Sequence, residues 1–404
     1  MLMKIPFSPP YIDEDVEKEV LDALRSGWIT TGPKVKALEQ EVVTYCNAEA
    51  ALAVNSATSG MMLALHWFGI THGDEVIIPA YTYVATALAV LHIGAKPIIV
   101  DVEGDFNISV QKIKEAITEK TKAIIPVDFA GWPCKYDDIN ELINEPEVKN
   151  KFLPKGENQK KLGRILIVSD AAHSIGATYK NRRTGTLTDI TVFSFHAVKN
   201  ITTAEGGMIC LNLPTAFDNK AIYATLRLWS LNGQTKDAFS KTQAGGWKYD
   251  IVYPGFKINL SDIAAAIGLA QIKKYNSHLL VERKRVFDFY TNEFEKYNWA
   301  LLPPYNVIHS SSSYHLYPLR IKNISEHQRD SIIEKLAVNG VSVNVHFIPL
   351  PMLTVFKEMK YNIHHFPMAY TNYATEISLP IYPQLTNLQC AYIVKQIVNA
   401  VAEL

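Results

Sequence analysis

"SFHAVKNITTAEGG", residues 194–207, is the stretch on which the reading of this chain turns. It follows the apolar run "ITVF" and holds a single lysine, Lys199, among small, polar and aromatic neighbours. It closes on Glu205-Gly206-Gly207 before a second apolar run, "MICLN". An exposed lysine here would keep its stem packed and its ammonium in water. A buried one must be paired, shifted in pKa or covalently occupied. A lysine desolvated in a pocket titrates low enough to form an imine with an aldehyde or ketone.

Outward from that stretch, the first two thirds of the chain alternate short apolar runs with helical patterns. The runs at 51–56, 74–83, 96–102, 122–130, 165–172, 190–195 and 206–212 read as strands. Several are apolar on both alternations, which predicts a mostly parallel sheet covered on both faces. "TSGMMLALHWFGI", "YVATALAVLHIG" and "SVQKIKEAITEKT" read as the crossover helices between them. The last two strands are joined too tightly for a crossover, so one antiparallel or irregular element is expected. The polar, Lys-rich stretch 144–164 reads as a solvated excursion. A long helical pattern runs over 261–297, with Ser261 or Asp262 as its cap. The division expected is a large domain with an N-terminal arm over 1–260 and a smaller α+β domain over 261–404.

The 404 residues are too many for one ordinary core, which supports two domains. Forty Lys plus Arg balance forty Asp plus Glu, so charge makes no case for nucleic acid or acidic membranes. The four cysteines are widely spaced without a C-x-x-C pair, which argues against a disulfide framework or a thiolate metal site. The first twenty residues turn acidic at once and do not read as a signal peptide. No apolar run reaches spanning length. The expectation is a soluble, cytoplasmic protein with no metal.

Three features fall at strand ends, where open α/β sheets place their ligands. "NSATSGMMLAL" (55–65) runs a strand into small residues and a helix start. Its amides and the hydroxyls of Ser56, Thr58 and Ser59 either hold a phosphate or simply cap the helix. Asp170 closes an apolar strand in "VSDAAHSIGA", where a carboxylate needs a cation or a donor. A protonated heterocyclic nitrogen or a structural hydrogen bond would each serve. His173, three residues on, could stack, hydrogen-bond or pack. Lys199 is the third. An anion cradle, a strand-end Asp and a Lys, in that order, are what pyridoxal phosphate requires, and Tyr83 in "PAYTYVAT" offers a flat partner for its ring. No G-x-G-x-x-G follows a strand, which counts against a nicotinamide-dependent reductase.

At this point the chain resembles the DegT-type, pyridoxal-phosphate-dependent sugar-nucleotide aminotransferases of the aspartate aminotransferase fold. "SGWITTGP", "NSATSGM", "GDEVIIPAYTYVATALAVLHIGAKPIIVDV", "SDAAHSIGA", "SFHAVKNITTAEGG" and "YPGFKINLSDIAAAIGLAQI" stand in family order. The last two look most like the UDP-4-amino-4-deoxy-L-arabinose aminotransferase branch. The resemblance implies an α/β fold of type I, with a large domain on a mostly parallel seven-stranded sheet and a small C-terminal α+β domain.

By the same resemblance Lys199 would be the imine-forming lysine and proton carrier, and Asp170 the partner of the pyridine nitrogen. His173 and Tyr83 would flank the ring, and Ala57, Thr58 and Ser194 would hold the phosphate. Lys257 would reach the neighbouring subunit's phosphate, which makes a homodimer with shared sites. Trp28, Thr30, Asn232 and His346 would contact substrate. The implied partners are L-glutamate and a nucleotide-linked keto sugar, with the ketone expected at C4, for surface polysaccharide or lipid A synthesis. The chain departs from the family at Asp128, Asn232 and Pro351, where histidine is usual; these are expected on the sugar side of the pocket. A sugar dehydratase of this fold would carry His in place of Lys199. A non-catalytic sensor would not need the Lys–Asp–phosphate set.

Overall fold

The runs that are apolar on both alternations pair edge to edge, because only a sheet with both faces covered keeps all of their side chains from water. The computed structural model describes residues 3–235 and 248–404. Its main sheet has seven strands: β1 (Ala50–Val54), β2 (Glu75–Pro79), β3 (Lys96–Val100), β4 (Thr121–Ile124), β5 (Leu166–Asp170), β6 (Ile190–Ser194) and β7 (Gly207–Leu211). Their order is β1-β7-β6-β5-β4-β2-β3. All seven expected strands are in it. The pairs from β6 to β3 are parallel, whereas β7 runs antiparallel to both β6 and β1. The tight link across 195–206 therefore does what its length demanded. Helices Ala57–Trp67, Val84–His92 and Val110–Ala116 are the crossovers.

The stretch 144–164 differs from its expected solvated form. It makes two short helices, Pro146–Lys151 and Glu157–Leu162, with Val148, Phe152 and Gln159 buried. Gln159 Nε2 donates to the carbonyls of Phe68 and Gly69 at 3.1 and 3.2 Å, and Asn158 Nδ2 to that of Trp67 at 2.8 Å. Those carbonyls lie at the C-terminal end of helix Ala57–Trp67, where intrahelical donors run out. Polar residues that read as solvated are spent on a helix end.

The pattern over 261–297 is two helices, Asp262–Lys273 and Leu280–Phe294, separated by a wider π turn at Tyr275–Leu279. Tyr275 is fully buried there and donates its hydroxyl to Ile175 O at 2.7 Å. Ser261 caps the first helix through Ala264 N. Asp262 does something else: its carboxylate accepts from the amides of Gly32, Lys34 and Val35 at 2.8, 3.1 and 3.0 Å. It thereby caps helix Pro33–Cys46 from across the chain, a helix without a side-chain cap of its own.

Beyond Leu280 lies a second core around a small antiparallel sheet of Ala300–Leu301, Tyr317–Ile321 and Glu376–Leu379. Phe287, Tyr290, Phe294 and Tyr317 pack there, with the Phe287 and Tyr317 rings 4.6 Å apart. The N-terminal segment joins this core, since Ile5 bridges Val341. Among the described residues, no helix is long and apolar enough to cross a membrane, and no cluster of His, Cys, Asp and Glu could hold a metal. The four cysteines are free and buried.

Candidate active site

Strands β1, β2, β5 and β6 release their chains at one edge of the sheet, and the loops leaving them surround a cavity of about 460 Å³. Asp170 is the last residue of β5 and is only 5 % exposed. Thr86 Oγ1 donates to its Oδ2 at 2.7 Å, and Ala172 N to its Oδ1 at 3.3 Å. Burial raises the Asp170 carboxyl above its usual range, while these hydrogen bonds and Lys199 pull the other way. A carboxyl group in that balance gains most from a cation placed in the cavity.

Lys199 sits in the loop after β6, its amide bonded to His196 O at 2.9 Å. Burial of its ammonium lowers it to about 8, against the pull of Asp170. The amine is thus free far nearer neutral pH than an ordinary lysine. Phe195 N–Gly206 O and Thr203 N–Phe195 O, at 2.9 and 2.8 Å, close the loop on itself. The two glycines that end the opening stretch are there for space. A Cβ on Gly206 would lie 2.1 Å from Thr203 Oγ1, and one on Gly207 would lie 2.6 Å from Ala57 N. Gly207 lets β7 lie directly against the start of helix Ala57–Trp67.

That helix start is the other end of the cavity. Ser56 caps it by accepting from Ser59 N at 3.1 Å, so the expected cap is real. Ala57 and Thr58 line the cavity in the first turn, where amides have no intrahelical acceptor and attract an anion. Ser194, at the end of β6, lines it beside them. An anion-accepting end, a buried carboxylate and a lysine of lowered pKa in one cavity fit pyridoxal phosphate.

Tyr83 and His173 also reach this cavity. His173 is 5 % exposed, and its Nδ1 accepts from Ala130 N at 3.2 Å, which leaves the ring proton on Nε2. Burial and Lys199 hold its pKa well below the usual value, so the ring is neutral. Tyr83 is 60 % exposed, its ring 5.8 Å from that of Phe347. His346 lines the cavity as well and stacks on Phe7 at 5.4 Å.

Trp28, Thr30, Asn232 and Lys257 do not line the cavity of the single chain. Trp28 Nε1 donates to Thr31 O at 3.2 Å, and Thr30 O accepts from Asp262 N at 3.1 Å. Asn232 takes a left-handed turn, φ 63°, with its amide on Phe256 O, and Lys257 bridges Leu231. Asp128 is a correction to the expected sugar side. Its carboxylate is fully buried, accepting from Tyr136 Oη, Ser174 Oγ and Cys134 N at 2.6, 2.6 and 2.9 Å. It pins the loop under the cavity and does not face it. Pro351 is likewise buried, in a short 3₁₀ turn.

The profile of the DegT/DnrJ/EryC1/StrS aminotransferase family matches residues 10–150 and 157–398. The chain belongs to that family. It is 37 % identical to protein MJ1066 of Methanocaldococcus jannaschii over the whole of both chains. It is 33 % identical to the spore coat polysaccharide biosynthesis protein SpsC of Bacillus subtilis, covering 95 % of this chain and 93 % of SpsC. Among solved structures it is similar to the putative sugar aminotransferase Spr1654 of Streptococcus pneumoniae. The PMP form of that protein superposes with a TM-score of 0.95 at 42 % identity over 99 % of each chain. Its PLP form gives 0.94 at 40 % identity over 99 % of each.

Several residues of this aminotransferase's cavity were not read from sequence. Thr86 orients Asp170 and is itself bonded to Thr82 at 2.8 Å, a hydroxyl pair at i, i+4 that "YTYVAT" displays. Phe7, His315 and Phe347 also line the cavity. His315 Nδ1 lies 2.8 Å from Asn200 Oδ1, and its ring 4.3 Å from that of His173. Asn200 adjoins Lys199, and its Nδ2 donates to Ser313 O at 2.8 Å, so one side chain ties the lysine loop to the 313–315 segment. No sequence signal announces the links of His315 to Asn200 and His173, or of Asn200 to Ser313, each more than a hundred positions apart.

Proposed function

We propose that this aminotransferase works with pyridoxal phosphate as a cytoplasmic homodimer. It moves the amino group of L-glutamate onto a nucleotide-linked keto sugar, at C4, destined for a surface glycan. The observation that carries the reading is one cavity holding Lys199 with its lowered pKa, the buried Asp170 and the helix start at Ala57. The likeness to Spr1654 and to SpsC supports sugar as the substrate class and polysaccharide synthesis as the setting.

Bound there, pyridoxal phosphate supplies an electron sink for the carbon that loses or gains the proton. Asp170, held by Thr86 and Ala172, would keep a positive charge on the pyridine nitrogen. Ala57, Thr58 and Ser194 hold the phosphate, with Lys257 of the second subunit completing the cradle. His173 and Tyr83, which line the cavity, would flank the ring. The Lys199 Nζ would take up and return the proton of the reacting substrate carbon, a transfer contributing about 10²–10⁴-fold. Trp28, Thr30, Asn232 and His346 would meet the substrate, and of these His346 lines the cavity. The domain division proposed is 1–260 and 261–404. It is supported by the seven-stranded sheet lying wholly within 50–211 and the small antiparallel sheet within 300–379.

The test is the near-visible spectrum of the holoenzyme on adding L-glutamate, beside Lys199→Ala. Conversion of the lysine-bound band to the pyridoxamine form in the wild type, with no such band in the variant, supports the reading. A spectrum indifferent to glutamate overturns it. A panel of nucleotide-linked keto sugars then reads the second half-reaction, by return of the original band.

A further inference from the structure

His346 is held in an unusual way. Its own amide donates to Oε2 of Glu376 at 3.1 Å. Its ring Nδ1 lies 2.9 Å from Ser378 Oγ, and Ser378 in turn donates to the other carboxylate oxygen, Oε1, of Glu376. One carboxyl group thus grips both the backbone and, through a single hydroxyl, the ring of a residue that lines the cavity. Glu376 and Ser378 are completely buried on the last strand of the small sheet, whose Ser378 exchanges both backbone hydrogen bonds with Asn344. Phe7 closes the ring's open side by stacking at 5.4 Å. Burying a carboxyl group and a hydroxyl is costly unless both are hydrogen-bonded, and here their side-chain bonds are spent on each other and on His346.

We infer that Glu376 and Ser378 are positioning residues that fix the orientation and ring proton of His346, so that His346 recognises a hydroxyl or carbonyl of the keto sugar. The inference deepens the sugar aminotransferase reading and rests on it. Burial raises Glu376 to about 8, and its state sets the sense of the chain. Ionised, it takes the Ser378 proton and Nδ1–H donates to Ser378; protonated, it donates to Ser378, whose proton then goes to Nδ1. The ring's own proton is therefore assigned by this chain of bonds instead of exchanging with water, and the second ring nitrogen has one defined hydrogen-bonding sense. Burial and the nearby Lys199 lower His346 to about 3, so the ring is neutral. A neutral imidazole suits a hydroxyl or a ketone and offers no charge to either carboxylate of glutamate. Loss of the clamp must then weigh on the sugar half-reaction and spare the glutamate half-reaction.

The experiment uses the holoenzyme and three variants, Ser378→Ala, Ser378→Thr and Glu376→Gln, with folding checked by thermal denaturation. Each half-reaction is followed separately by the cofactor spectrum, with L-glutamate and then with a UDP-4-keto sugar that the wild type accepts. Long-range ¹H–¹⁵N spectra read the His346 ring. The expected result is a single ring tautomer in the wild type and in Ser378→Thr, and a mixture in Ser378→Ala. Ser378→Ala should lose at least about tenfold in kcat/KM for the sugar, the scale of one hydrogen bond to a reacting group, with the glutamate step within about twofold. Should Ser378→Ala fail to fold, Glu376→Gln decides by the same split. Equal loss in both half-reactions, no loss in either, or an unchanged tautomer in the variant overturns the inference. A wild type that glutamate does not convert fails at the aminotransferase reading itself, and this inference falls with it.

Discussion

The two walls of the cavity were built by different means. One wall leaves the sheet edge: Ala57 after β1, Tyr83 after β2, Asp170 and His173 at β5, Ser194 and Lys199 at β6. Each of its residues sits at or a short distance past the end of its own strand, so each is placed locally even though the strands stand in the sheet in the order β1-β7-β6-β5-β4-β2-β3 and not in chain order. The opposite wall is Phe7, His315, His346 and Phe347. It is assembled from the N-terminal segment and from loops more than a hundred residues past the lysine. The first wall can be recognised one strand at a time. The second exists only when the small sheet packs against the large one.

If the sheet-edge wall carries the chemistry, the largest losses belong there. Lys199→Ala should lower amino transfer at least about 10²–10⁴-fold in single-turnover assays with glutamate, because no other lining group replaces the proton carrier. Asp170→Asn keeps the shape but removes the charge, and should cost about 10²–10³-fold, the scale of one preorganised electrostatic partner. A milder loss in Asp170→Asn than in a His346 variant would break the comparison between walls.

The next effect is structural. Gly207→Ala pushes a methyl group against the backbone of Ser56 and Ala57 and should destabilise the fold by about 1–3 kcal/mol in denaturant melts, with weaker phosphate retention. Smaller again is Thr86→Val, which strips the hydrogen bond from Asp170. It should cost about 0.5–1.5 kcal/mol of stability in the same melts, and cofactor affinity should fall with it.

A titration sharpens the picture without a mutation. Because the Lys199 pKa is lowered to about 8, its amine is charged below that pH and free above it. In the cofactor-free protein, reaction with an amine-selective reagent should rise with a midpoint near 8, about two pH units below ordinary lysines. A midpoint near that of the surface lysines would place the ammonium in water and remove the main argument for the pocket.

How much of this could be read beforehand depended on range. The seven strands were legible because apolar β-branched runs must be buried on both faces wherever they end up. The tight 195–206 link announced its antiparallel partner through length alone. The helix at 261–297 was read as one because its apolar pattern runs on through Tyr275–Leu279. The π turn there is set by Tyr275 reaching Ile175, a contact 100 residues away. The stretch 144–164 misled for a related reason: Asn158 and Gln159 look solvated until the carbonyls of residues 67–69 are brought beside them.

Sequence alone determined the sheet, its crossover helices, and the set of Lys199, Asp170 and the Ala57 helix start. Those follow from local periodicity and from chemistry that each residue type carries with it. Tertiary structure decided that Asp128 turns inward, that Asp262 caps a helix 230 residues away from it, and that Glu376 and Ser378 grip His346. Each of these is a buried polar group choosing among distant partners. That choice is made by which surfaces pack together, and no local pattern records it.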